Sequence, residues 1–117
     1  MSTDSLAPNC RQCVYVSGPL SLGGKLENVF RAINAGCQLV QLGFAPLIPH
    51  LTYFADPEDE LGYGAWLEVD LAWLPQAAAV LRLPGESKGA DQEVAEACRL
   101  GIPVFHDVET LASFFGR

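Results

Sequence analysis

The chain has 117 residues, with 7 Lys plus Arg against 14 Asp plus Glu, a net charge of −7. Its residues are 50% hydrophobic and 18% charged, which excludes a disordered chain and supplies enough apolar material for one core. The acidic balance argues against a partner such as a nucleic-acid polymer or an anionic membrane surface, but a single phosphate could still be held by backbone N–H groups and one or two cations.

One domain is expected. Residues 1–11 are polar and read as a flexible segment; with Asp4 and no apolar stretch they do not read as a signal peptide. Residues 12–117 read as the folded domain. The uncharged run from Ala32 to Thr52 is broken by Asn34, Gly36, Gln38, Gln41, Gly43, Pro46 and Pro49, so it does not read as a membrane span, and a cytoplasmic location is expected. Cys10-Arg11-Gln12-Cys13 has metal or redox spacing. There is no second pair, however, and only His50 and His106 accompany it, so no metal site is expected. Cys13, Cys37 and Cys98 lie in apolar segments and read as small core residues.

Cys13-Val14-Tyr15-Val16-Ser17, stopped by Gly18-Pro19, reads as a buried strand. After Gly23-Gly24, Leu26, Phe30, Ile33, Cys37 and Val40 recur at helical spacing, predicting a helix with that stripe on the core, ending near Gly43. Phe44 to Ile48 contains Pro46 and reads as an edge strand. A loop from Pro49 to Gly64 follows, carrying the acidic cluster Asp56, Glu58, Asp59 and Glu60. Trp66 to Leu74 predicts a helix closed by Pro75. Ala78 to Leu83 reads as a third strand, and Ala90, Val94, Ala97 and Cys98 mark a helix ended by Gly101. Pro103 to His106 reads as a fourth strand, and Val108 to Phe115 as a last helix. Strands alternating with helices imply a small α/β domain, a doubly wound (flavodoxin-like or Rossmann-like) parallel sheet of four to five strands with helices on both faces.

In such a sheet, ligands bind beyond the carboxyl ends of the strands. That rule selects Ser17-Gly18-Pro19, Pro49-His50, Gly85 to Glu93, and His106-Asp107. In Gly85 to Glu93, small residues admit a ligand to the backbone, and free N–H groups at a helix start favour an anion. Ser87 adds a hydroxyl, Lys88 a charge and Gly89 room; the plain alternative is Ser87 as a helix cap in a solvated loop. Glu93, about one turn into this helix, is held ionised by the helix dipole and suits a nucleophile or a stabiliser of a cationic sugar; otherwise it is a surface glutamate. Asp70 stands at helical spacing between Trp66 and Trp73. An acid on an apolar stripe needs a partner or a function, unless it lies at the stripe's edge. Arg31, three residues after Asn28 and off the core stripe, is a candidate phosphate contact or a solvated arginine. His50 either touches a ligand or caps a loop. Tyr15 points into the site or into the core.

Val14-Tyr15-Val16-Ser17-Gly18-Pro19 followed by Asn28 and Arg31-Ala32 resembles the opening of the nucleoside 2-deoxyribosyltransferase superfamily. Pro49-His50-Leu51 and Trp66 to Leu74 resemble its middle, and Ser87-Lys88-Gly89-Ala90-Asp91-Gln92-Glu93 with Gly101-Ile102-Pro103-Val104 its end. The branch with a Ser-x-Gly-Ala-x-x-Glu signature, the DUF4406 type, is the most similar, over residues 13–106. The resemblance implies a flavodoxin-like fold and cleavage of an N-glycosidic bond in a nucleoside or nucleoside 5′-monophosphate, by hydrolysis or transfer. It implies Glu93 as the carboxylate at the anomeric carbon, Asp70 as the acid that positions reactants or handles protons, and Tyr15 as an active-site tyrosine. Ser17, Gly18, Ser87 and Gly89 would hold the 5′ end of the substrate, joined by the candidates Pro19, Arg31, His50 and Lys88. No cofactor is required, and a homodimer or larger homo-oligomer is implied. The end motif and the short chain depart from the transferases, which keeps a non-catalytic nucleotide-binding module as the alternative.

Overall fold

The computed structural model describes residues 11–117; Cys10 and most of the predicted N-terminal segment fall outside them. The elements are β1 (Cys13–Ser17), α1 (Lys25–Gln41), β2 (Ala45–Leu47), α2 (Thr52–Ala55), α3 (Tyr63–Trp73), β3 (Ala79–Arg82), α4 (Lys88–Arg99), β4 (Val104–Phe105) and α5 (Val108–Phe114). The four strands form one parallel sheet in the order β2-β1-β3-β4, with Pro46 on its edge strand. This is the predicted doubly wound α/β fold. The predicted loop after Pro49 is partly helical: a single 3-10 turn (Pro49–Leu51) runs into α2.

Alternation along the strands divides the core between the two faces of the sheet. Val14, Val16, Ala79 and Leu81 pack with Ala32, Ala35, Leu39, Leu111 and Ala112, under α1 and α5. Tyr15 and Val80 pack with Leu74 and Ala97, under α3 and α4. Ser17 follows Tyr15 by two positions, so both side chains face α4. That parity brings the first strand to the site.

Helix α1 forms where it was predicted but turns the opposite face to the sheet. Its buried residues are Asn28, Val29, Ala32, Ala35, Gly36 and Leu39, whereas Leu26, Phe30 and Val40 are 46%, 56% and 47% exposed. Small side chains let the helix backbone approach the sheet closely: a Cβ on Gly36 would lie 2.3 Å from Ile48 Cδ1. The bulky stripe therefore faces outward. Cys13, Cys37 and Cys98 are likewise exposed rather than core, because each lies on the outer side of its element or at its end. Arg31 is exposed too, and its guanidinium donates to Asn28 Oδ1 at 3.0 Å. Asn28 in turn donates to the carbonyls of Leu20 and Leu22, at 3.0 and 2.7 Å, and so fixes the β1–α1 loop against the helix.

Candidate active site

The chain leaves β1 on one side toward β2 and later crosses to β3 on the other, so the switch point lies between the carboxyl ends of β1 and β3, at Ser17 and Arg82. A cavity of about 510 Å³ opens there. Gly18, His50, Asp70, Ser87, Lys88, Gly89 and Glu93 all line it.

Glu93 is the centre of the inner wall. Its side chain comes from the second turn of α4, which Ser87 starts by accepting the Ala90 N–H at 3.1 Å. Glu93 is only 6% exposed. Ser17 donates its hydroxyl to Oε1 at 2.7 Å, and Tyr15 donates to Oε2 at 2.8 Å. Both carboxylate oxygens are thus oriented from β1 by charge-assisted hydrogen bonds. Tyr15 and Ser17 lie beneath the cavity and act on it through Glu93. Burial pushes Glu93 above its ordinary range, opposed by the bonds from Ser17, Tyr15 and Asp70 and by the charge of Arg82. Burial, followed by the charges of Glu93 and Asp70, pushes Tyr15 far above its ordinary range, so its hydroxyl keeps its proton and serves as a donor.

Asp70 faces Glu93 from α3. Burial, the charge of Glu93 and the hydrogen bond between the two carboxyls raise it to about 7. Two neighbouring carboxyls do not both ionise readily. The geometry around Glu93, with two hydroxyl donors on its oxygens, assigns the shared proton to Asp70. Asp70 Oδ1 is buried and has no protein hydrogen-bond partner. Trp66 joins Asp70 in the cavity wall, as their spacing suggests, but Trp73 is 37% exposed and lies outside it.

His50 is 5% exposed, with Nε2 at 3.2 Å from the carbonyl oxygens of both Gly18 and Pro19. Two acceptors at one nitrogen place a proton on Nε2, and burial holds the ring below its ordinary range, so it is neutral near pH 7. Pro19 contributes its carbonyl to His50, not a wall. Gly18 is required where it stands: a Cβ there would lie 2.9 Å from Leu83 Cβ. The predicted contact Arg31 does not line the cavity; Lys25, at the start of α1, does, as does Lys88.

The outer wall lies outside the site residues that the sequence predicts. Leu20, Leu22, Tyr53, Tyr63, Trp66 and Leu67 line it. Asp56 organises this segment, accepting the N–H groups of Glu60 and Leu61 at 2.9 and 3.1 Å and the Trp66 indole N–H at 2.8 Å. These bonds, led by that of Trp66, hold Asp56 below its ordinary range. Tyr63 crosses toward α4, and a Cβ on Gly89 would meet its hydroxyl at 2.5 Å. No spacing in the sequence announces Tyr63. The only trace is the glycine opposite it.

Among the described residues, no three His, Cys, Asp or Glu side chains gather as a metal-binding group, and no helix is long and apolar enough to cross a membrane. No protein-family model matches the sequence, and no curated protein matches it. Among solved structures, the chain is similar to one described as a 2-deoxyribosyltransferase from the psychrotolerant bacterium Bacillus psychrosaccharolyticus. The TM-score is 0.58 at 24% identity, over 79% of this chain and 69% of that one. The likeness shows the fold alone, a parallel α/β fold like that of the 2-deoxyribosyltransferase.

Proposed function

We propose that this domain cleaves the N-glycosidic bond of a nucleoside or nucleoside 5′-monophosphate. The observation that carries this reading is the buried Glu93 carboxylate, oriented on both oxygens and facing a second carboxyl that holds a proton near neutrality. The pair divides the work of acid and base between two carboxyls. Glu93 attacks or stabilises the anomeric carbon as the C–N bond breaks and its electron pair passes to the base. Asp70 delivers its proton to the leaving nitrogen. An incoming water, or the nitrogen of a second base, then takes the sugar and returns a proton to Asp70.

Lys25, Ser87 and Lys88 at the cavity rim suit an anionic 5′ substituent, which favours the monophosphate. The Ser87-Lys88-Gly89-Ala90 sequence ahead of Glu93 supports a place in the DUF4406-type branch of the superfamily. We also read the chain as a cytoplasmic homodimer. Among the described residues the three thiols are exposed, which suits a reducing compartment, and the outward stripe of Leu26, Phe30 and Val40 suits burial against a second copy. Light scattering would find a dimer, and Phe30→Glu would shift it toward monomer; a monomeric wild type would end that part of the reading.

The experiment is a base-release panel. Ribo- and deoxyribonucleosides and their 5′-monophosphates are incubated with the protein, and free base is read by chromatography with and without a second base as acceptor. Release favouring the monophosphates supports the proposal, and the effect of the acceptor separates transfer from hydrolysis. Saturable binding without release from any of them would make the domain a nucleotide-sensing module.

A further inference from the structure

Arg82 is one of the chain's seven cationic residues and stands at the switch point, yet it does not line the cavity. It ends β3 in register with Ser17. It shares Val80's side of the sheet by alternation, so its side chain runs beneath α4, only 11% exposed. The guanidinium donates to the carbonyl of Leu83, to that of Gly85 at 2.9 Å and to Asp91 Oδ1 at 3.2 Å. Two of these acceptors are backbone carbonyls of the turn after β3. The third is in the first turn of α4, two residues before Glu93. The turn itself packs on the loop after β1: Gly85 has φ +118, and a Cβ there would lie 2.6 Å from Pro19 Cγ. One planar fork therefore ties the end of β3, the turn and the start of α4 into a unit. A lysine carries its three donors on one nitrogen, without the planar fork that serves these acceptors from two, and so would not reproduce the clamp.

We propose that Arg82 is the positioning residue for Glu93: by clamping the 83–85 turn to Asp91 it fixes where α4 begins and so places the Glu93 carboxylate over Ser17 and Tyr15. This rests on the reading of Glu93 as the working carboxylate, but the placement can be tested without turnover. The groups around Glu93 are Tyr15 and Ser17 from β1, Tyr63 and Asp70 from α3, Arg82 from β3, and Lys88 and Asp91 from its own helix. Arg82 is the cation whose charge opposes the effect of burial on Glu93.

The test is a carboxyl 13C NMR titration of Glu93, assigned by its absence in Glu93→Gln, together with the hydrogen-bonded hydroxyl proton of Tyr15. Wild type, Arg82→Gln and Arg82→Lys are compared. In Arg82→Gln, the Glu93 midpoint moves to higher pH and the Tyr15 hydroxyl signal shifts upfield or is lost to exchange. In Arg82→Lys, the positive charge keeps the Glu93 midpoint near wild type, while the Tyr15 signal still moves because the clamp is incomplete. If base release is established, kcat falls ~10-fold or more in both with KM little changed, as expected for a misplaced reacting group. A merely structural arginine would lower the melting temperature and leave both resonances where they were. Folded variants with wild-type Glu93 titration and Tyr15 hydroxyl signals would overturn the proposal, and if Arg82→Gln does not fold, an unmoved Tyr15 signal in Arg82→Lys does so alone. Absence of base release from wild type would count against the glycosidase reading and leave these resonances to decide the clamp.

Discussion

The two walls of the cavity are built differently. The inner wall is made of strand ends and a capped helix: Tyr15 and Ser17 are fully or nearly fully buried, and Glu93 is held on both oxygens. The outer wall runs through α2 and α3, neither of which has a buried residue. It is held by one carboxylate, Asp56, and presents aromatic rings that are half-buried or exposed. On the proposed function, the carboxylate at the reacting carbon rests on rigid elements, whereas Asp70 and the rings that would face the ligand rest on a segment with little core behind it. The lesson is a division of labour with one exception: catalysis should be sensitive to conservative changes on the inner wall and at Asp70, which α3 turns toward Glu93, and selectivity to the other changes on the outer wall.

Glu93→Gln strikes the inner wall hardest. Base release is expected to fall by on the order of 10³-fold or more, with ligand affinity nearly kept. Asp70→Asn comes next, with a loss on the order of 10²–10⁴-fold. Wild-type activity should decline as pH rises through about 7, where Asp70 loses the proton it donates. A pH–rate profile checks both, and a rate flat from pH 5 to 9 (on the order of the range over which such groups titrate) would contradict the assignment. Tyr15→Phe removes one charge-assisted bond and should cost about 1.5–3 kcal/mol of stability, read by denaturant unfolding.

On the outer wall, smaller effects are expected, concentrated in KM. Gly89→Ala would bring a methyl group against the Tyr63 hydroxyl, and kinetics should show KM raised ~10-fold with kcat less affected. In a Tyr63→Ala background the same change should be nearly silent. Equal effects in both backgrounds would break the proposed contact.

The carboxyl pair also sets a pH dependence of stability. Folding raises Asp70 to about 7, above its value in the unfolded chain, and moves Glu93 the same way. The native state therefore holds protons that the unfolded chain releases, and these groups make stability fall as pH rises from about 4 to about 7. Thermal unfolding of Asp70→Asn across that window should show a shallower fall.

The inner wall was largely legible in the sequence. A buried β-branched run ended by Ser17-Gly18-Pro19 and a helix start at Ser87 are local signals, and parallel topology brings their ends together. Helix α1 shows where local patterning misleads. Leu26, Phe30 and Val40 outweigh Ala32, Ala35 and Gly36 in hydrophobicity, yet close approach to the sheet selects the small face. The exposed cysteines show a related limit, since an apolar neighbourhood in sequence does not say which side of an element faces in. The outer wall was least legible. Asp56 looked like one acid among several in a charged loop, and its three donors converge only through the path of the folded backbone. Tyr63 and Lys25 reach the cavity in the same way, through tertiary placement that no spacing encodes.

The most direct test of the account pairs turnover with equilibrium binding for one nucleoside 5′-monophosphate, in wild type and Glu93→Gln. The account predicts base release by wild type, none above background by Glu93→Gln, and dissociation constants that differ by no more than a few-fold, ~1 kcal/mol. Base release by Glu93→Gln at the wild-type rate, or tight binding by both with release by neither, would contradict it.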